Sequence, residues 1–138
     1  DDITANIRRL NARHVLVVSD SCYSGTISRS ADLVLSSSSK PTEREIYLLN
    51  MYKGKSRTLL ASGGNEPVTD EGGGIYSVFA AALLIGFLEM EKDIFTAEEL
   101  YFNHIKEKVA GKAEQTPEYN PLRNSGHEGG GFVFVRKK

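Results

Sequence analysis

A run of four aliphatic residues, Val15 to Val18, constrains the fold more than any other feature of this chain. The run ends abruptly in the small and polar residues Ser19 to Gly25. An aliphatic run bounded in this way predicts a strand buried on both faces, which is typical of parallel sheets covered by helices. In such sheets, ligands and reactive groups collect beyond the carboxyl ends of the strands. The sequence therefore places its single cysteine, Cys22, at the edge where chemistry is expected.

Strand and helix patterns alternate along the rest of the chain, which predicts an α/β fold with a mainly parallel sheet. Further strands are predicted at Arg57 to Ser62 and at Phe132 to Val135. Helices are predicted at residues 2–10, 42–53, 75–90 and 96–110. Between them, residues 24–40 carry many serines and predict a loop, and so does the stretch with Pro117 and Pro121.

Two of these helices carry specific start signals and apolar faces. Thr42 with Glu45, and Thr96 with Glu99, have the spacing of capping boxes. The first helix is expected to carry apolar side chains on one face. The second is expected to direct another set of apolar side chains toward the interior. These expected faces are Ile46, Leu49 and Tyr52 for the first helix, and Leu100, Tyr101, Ile105 and Val109 for the second.

Composition excludes several classes of function. The chain has 138 residues, enough for one domain, and its 17 Lys and Arg nearly balance 18 Asp and Glu. That balance argues against a nucleic acid or an anionic membrane as partner.

The longest apolar stretch, Ile75 to Met90, is too short and interrupted to span a membrane. The acidic start is not a secretory signal and the lone thiol suits a reducing compartment, so a cytoplasmic location is expected. No metal-ligand pattern stands out, so no cofactor is expected, and calcium dependence stays open.

Cys22 and Asp20 admit two interpretations each. A lone cysteine is usually a small buried hydrophobe, but Cys22 lies past the aliphatic run, after Ser21 and before Tyr23 and Ser24. A helix starting after it would lower the thiol pKa and offer N–H donors to an oxyanion. Alternate strand residues share a face, so Asp20 and Cys22 border one pocket if the strand continues, and a carboxylate there suits a cationic side chain. Otherwise Asp20 is a turn-forming residue at a strand end.

The segment His14 to Gly25 resembles the nucleophile strand of caspase-like cysteine peptidases, the clan of caspases, metacaspases, paracaspases and clostripain-type enzymes. Its Asp-x-Cys-x-Ser-Gly element is similar to that of metacaspases and bacterial caspase-family proteins. True caspases instead have glutamine two residues before the cysteine and arginine after it, where this chain has Asp20 and Tyr23. The resemblance implies that Cys22 is the nucleophile and that Asp20 selects Arg or Lys before the scissile bond.

Other segments extend the resemblance over nearly the whole chain: Arg57 to Val68, Gly74 to Phe79, and Gly126 to Gly130. It implies a caspase-like three-layer sandwich, with a mostly parallel sheet and helices on both faces. It also implies a rim for an extended polypeptide substrate, formed by Ser62, Gly63, Gly64 and Asn65.

The resemblance also requires a histidine about fifty residues before the cysteine, but only 21 residues precede Cys22. His14, His104 and His127 are poor substitutes by their position in the predicted elements. We therefore expect residues 1–138 to form a single partial caspase-like domain, the carboxyl-terminal part of the catalytic domain. Its His-bearing segment, with the first strands, would lie elsewhere, and the isolated chain would be inactive.

Three other functions remain open on sequence. The first is that of a catalytically inactive caspase-like module that binds proteins. The second, a thiol redox sensor, lacks a resolving cysteine. The third, metal catalysis, is weakly supported, because Asp70 and Glu71 are far in sequence from any histidine.

Overall fold

The computed structural model describes residues 3–20, 41–63, 76–112 and 116–138. The elements in chain order are α1 (Ile3–Arg8), β1 (His14–Ser19), α2 (Pro41–Lys53), β2 (Ser56–Ala61), α3 (Val78–Glu89), β3 (Ile94–Thr96), α4 (Ala97–Leu100), a π-helical turn (Tyr101–Ile105), α5 (Lys106–Lys112), β4 (Glu118–Pro121) and β5 (Val133–Val135). The predicted loop at residues 24–40 lies outside the described residues, as do Cys22, Gly64 and Asn65.

The described strands form two small sheets. In the first, β1 and β2 are parallel, with Ser19 opposite Ala61, and β4 pairs antiparallel with the other edge of β2. In the second, β3 and β5 pair antiparallel, with Phe95 opposite Phe134. The fold is mixed α/β, as predicted, but of the described strand pairs only β1–β2 is parallel. The sequence missed β4 because Pro117 precedes it and Pro121 ends it, although an edge strand tolerates a missing N–H at its end.

Helices pack on both faces of the first sheet, because neighbouring residues of β2 point to opposite sides. Leu60 belongs to the larger core, together with α3, α4, the π-helical turn and α5. Leu59 and Ala61 belong to a smaller core with Ile7 of α1 and Leu122. Every residue of β2 is buried, so β2 is the strand around which the described part is built.

The prediction that β1 is buried on both faces was wrong. Its residues are only partly buried, and Val18 is 47% exposed. Within the described residues β1 pairs with β2 alone, so its other edge has no described strand beside it. An aliphatic run indicates that its side chains are suited to a buried position. How much of the strand is buried depends on the number of strands beside it.

The apolar residues that the sequence places on α2, Ile46, Leu49 and Tyr52, are all exposed. The helix instead docks through polar side chains. Arg44 donates to Glu99 at 2.7 Å, and the hydroxyls of Tyr47 and Thr96 are 2.9 Å apart. Leu48 and Met51 are half-buried on the same face, so apolar contacts accompany these hydrogen bonds.

The capping box at Thr96 and Glu99 is confirmed. Thr96 Oγ1 accepts from the Glu99 amide at 3.2 Å, and Glu99 Oε1 accepts from the Thr96 amide at 3.1 Å. The side chains predicted to face inward from this region are all buried: Leu100, Tyr101, Ile105 and Val109. The π-helical turn between α4 and α5 was not predicted. No helix within the described ranges has both the length and the apolar character needed to cross a membrane.

Candidate functional site

Two of the predicted site residues, Asp20 and Ser62, lie side by side at the carboxyl ends of β1 and β2. The parallel register pairs Ser19 with Ala61, and the Ser62 amide donates to the Ser19 carbonyl at 2.9 Å. Asp20, the next residue of the first strand, is exposed, whereas Ser62 is buried. The edge predicted to collect reactive groups therefore presents an accessible carboxylate beside a buried strand end.

Ser77 joins this edge from a third element, the start of α3. Its Oγ accepts from the Ala80 amide at 2.9 Å, as the N-cap of the helix, and donates to Asp20 Oδ2 at 2.5 Å. The Asp20 carboxylate is therefore oriented by a capping serine at the positive end of a 12-residue helix. Sequence reasoning missed Ser77, although a serine directly before an apolar helix is a recognisable N-cap signal.

Gly63 fixes the course of the chain after Ser62. Its φ is +73°, and a Cβ placed there would lie 1.8 Å from the Thr116 carbonyl oxygen. The backbone therefore passes so close to the segment before β4 that only glycine fits. A side chain of the core also holds this segment in place, because the hydroxyl of the buried Tyr101 donates to the Pro117 carbonyl at 2.8 Å. The part of the predicted rim that is described, Ser62 and Gly63, is thus rigidly supported.

The three histidines lie away from this edge, and each has a different partner. His14 Nε2 lies 2.9 Å and 3.1 Å from the carbonyl oxygens of Tyr52 and Gly54, so this nitrogen carries a proton and donates. His14 begins β1, six residues before Asp20, which corresponds to about 20 Å along an extended strand.

His127 Nδ1 accepts from the Arg57 amide at 3.0 Å, near the amino end of β2. Because Arg57 precedes Ser62 by five residues, this places His127 about 17 Å from the carboxyl edge. Burial, and secondarily the charge of Arg57, lower the pKa of His127. The ring is neutral at physiological pH, but it is at the opposite end of the sheet from Asp20.

His104 lies in the π-helical turn, packed against Gly86 of α3 and 3.7 Å from Glu89 Oε2. Gly86 is nine residues beyond Ser77, about 13 Å along the helix. None of the three histidines therefore reaches the Asp20 edge. The described residues at this edge include the Asp20 carboxylate, two serines and the Gly63 turn, and Glu118 of β4 lies opposite Ala61. The exposed Asp20 carboxylate suits the binding of a cationic group.

The described residues contain no group of three or more His, Cys, Asp or Glu side chains arranged to hold a metal ion. No family model matches the chain, and neither the curated proteins nor the solved structures include a match.

Proposed function

We propose that the protein is a cysteine endopeptidase of the caspase and metacaspase type that cleaves polypeptides after Arg or Lys. One observation supports it most: an exposed carboxylate, Asp20, is oriented by Ser77 at the carboxyl end of β1, two residues before the only cysteine. Two residues of chain span at most about 7 Å, so the carboxylate and Cys22 belong to the same neighbourhood by covalent connection alone.

In this proposal Asp20 binds the substrate residue that precedes the scissile bond. Its Oδ2 accepts from Ser77, and Oδ1, which has no hydrogen bond from the described residues, binds the guanidinium or ammonium group of that residue. An ion pair of this kind selects Arg and Lys and repels Asp and Glu. The substrate backbone runs along the rim formed by Ser62, Gly63, Gly64 and Asn65, as an added strand.

Cys22 carries the covalent chemistry. Its sulfur bonds to the substrate carbonyl carbon, and the tetrahedral intermediate then expels the amine, which takes a proton from an imidazolium. Water hydrolyses the resulting thioester and releases the acid and the thiol. The imidazole that removes the thiol proton belongs to a histidine outside these 138 residues, since His14, His104 and His127 are each engaged elsewhere.

The test is hydrolysis of fluorogenic peptides ending in Arg, Lys or Asp by the full-length protein. We expect cleavage after Arg and Lys, and its complete loss in Cys22→Ala. Asp20→Asn should lower kcat/KM for the Arg peptide by about 10- to 150-fold, because a hydrogen bond to a charged group is worth about 1.5–3 kcal/mol. Ser77→Ala should reduce it about 5-fold, through a less well oriented carboxylate.

Asp93→Asn is the matched control, since it removes one exposed carboxylate whose partner is Lys138. It should leave the preference unchanged. Activity that survives Cys22→Ala would overturn the proposal, and unchanged Arg preference in Asp20→Asn would overturn the role of Asp20.

A second candidate function is a catalytically inactive caspase-like module that binds proteins. The positions of the three histidines favour it, because none of them lies at the Asp20 edge. A full-length protein that binds an Arg-containing peptide through Asp20 without cleaving it would support this alternative.

A further inference from the structure

The opposite end of the sheet, where β1 and β2 begin, is built from three turns that contact one another. The turns comprise residues 8–14, 53–57 and 121–128. The Ser56 amide donates to the Arg13 carbonyl at 2.9 Å, and the Leu122 amide donates to the Arg57 carbonyl at 2.8 Å. Together they form one continuous surface at the amino end of the sheet.

This surface is strongly basic, although the whole chain has a formal net charge of −1. Within the three turns there are seven Arg and Lys residues and a single carboxylate, that of Glu128. The basic residues are Arg8, Arg9, Arg13, Lys53, Lys55, Arg57 and Arg123. An excess of one charge on one surface attracts ligands of the opposite charge.

Arg57 contributes a positive charge from inside the protein. Its side chain is fully buried, and its guanidinium donates only to carbonyl oxygens, those of Leu10, Ala12, Arg13 and Ser56. Its Nε has no partner among the described residues. A buried cation bonded to neutral groups alone is stabilised by an anion nearby.

The loop of residues 121–127 next to Arg57 borders a pocket of about 440 Å³, a size suited to small ligands. Arg123, Asn124 and His127 supply hydrogen-bond donors to its lining, and no carboxylate of the described residues lines it. The neutral His127 ring accepts from the Arg57 amide through Nδ1, so Nε2 carries its proton and can donate. A Cβ added to Gly126 would lie 3.6 Å from the Arg8 Cγ, so the stem of the Arg8 side chain borders this loop.

We propose that this pocket binds a small ligand through a phosphate group. Arginine side chains and several donors on one loop match the three terminal oxygens of a phosphate better than the two of a carboxylate. The pocket is confined to one loop, which suits a small molecule and not a polymer. It lies about 17 Å from the Asp20 edge, so the proposal does not depend on the peptidase function.

The test is titration of the full chain with inorganic phosphate at pH 7.5 and constant ionic strength, followed by the amide resonances of residues 122–127. We expect saturable shifts confined to this loop, with a dissociation constant of at most a few millimolar. Arg123→Gln and Arg8→Gln should each weaken binding about 5-fold or more, without affecting the fold because both side chains are exposed.

Lys137→Gln is the matched control, because it removes one exposed positive charge outside the three turns. Equal weakening by Lys137→Gln and Arg123→Gln would show non-specific attraction and overturn the proposal. Shifts that do not saturate would overturn it too. Acetate that binds as tightly as phosphate would overturn the assignment to a phosphate group.

Discussion

Gly63 is held in a backbone conformation and in a space that both exclude a side chain. Its φ of +73° is favourable for glycine and costly for other residues, and the Thr116 carbonyl occupies the position of a Cβ. At the scale of single residues, the rim of the candidate site therefore requires a residue that has no Cβ. The sequence Ser62-Gly63-Gly64 indicated a turn, but not that the segment before β4 passes so close.

Gly63→Ala should destabilise the protein by about 2 kcal/mol or more, from the unfavourable φ and from the displacement of the Thr116 backbone. Urea unfolding measures this change. Gly111→Ala is the control, because that glycine lies in α5 and a methyl group added to it would meet no atom of another described element within 4 Å. It should be neutral or stabilising by up to about 1 kcal/mol. Equal effects of the two substitutions would contradict our interpretation of Gly63.

At the scale of elements, α2 is attached to the β3–α4 junction by a polar cluster. Arg44 donates to both Glu99 oxygens, at 2.7 Å and 3.2 Å, and to the Ile94 carbonyl at 2.7 Å. Glu99 also accepts from the Thr96 amide in the capping box. One carboxylate thus starts a helix and holds a second helix against it.

Arg44→Met should destabilise the protein by about 2 kcal/mol, because the mostly buried Glu99 carboxylate loses its cation and two hydrogen bonds. Chemical denaturation of the variant gives the value. Lys108→Met removes the cation from an exposed pair with Glu89, and it should change stability by less than about 1 kcal/mol. A cost for Arg44→Met no larger than that of Lys108→Met would show that the cluster does not attach α2.

At the scale of the whole molecule, β2 is the central strand of the first described sheet and β1 is an edge strand among the described residues. The carbonyls of Arg13 and Ser19 face β2, since they accept from the Ser56 and Ser62 amides. Alternate residues of a strand direct their amide and carbonyl groups to opposite edges. The amides of Leu16 and Val18 therefore point away from β2. The described strands leave these amides without a ladder partner.

Hydrogen exchange should show this difference directly. We expect protection factors for the Leu16 and Val18 amides at least about 100-fold lower than for Leu59 and Leu60, which lie between β1 and β4 in the centre of the sheet. Measurement of exchange by NMR in the folded chain tests the expectation. Equal protection of Leu16 and Leu60 would mean that another segment covers the outer edge of β1.

The two proposed activities are located at opposite ends of the sheet. The carboxyl end brings together Asp20, Ser62 and Ser77 for a cationic side chain, and the amino end gathers arginines for a phosphate group. Parallel β1 and β2 produce this division, because residues at the same position in each strand reach the same edge.

The sequence by itself determined the α/β class, the Thr96 capping box, the inward residues of the helices after Thr96, and the placement of Asp20 at a strand end. These features depend on local spacing and on short-range hydrogen bonds, which a linear pattern contains. The assignment of Cys22 rests on sequence alone and stays a prediction.

Only the tertiary structure decided that Ser77 orients Asp20, that α2 docks through Arg44, and that His127 serves Arg57 at the far end of the sheet. Each of these contacts joins residues more than 50 positions apart. Side-chain spacing within one element carries no information about which distant element lies opposite. That choice follows from the packing of the whole chain.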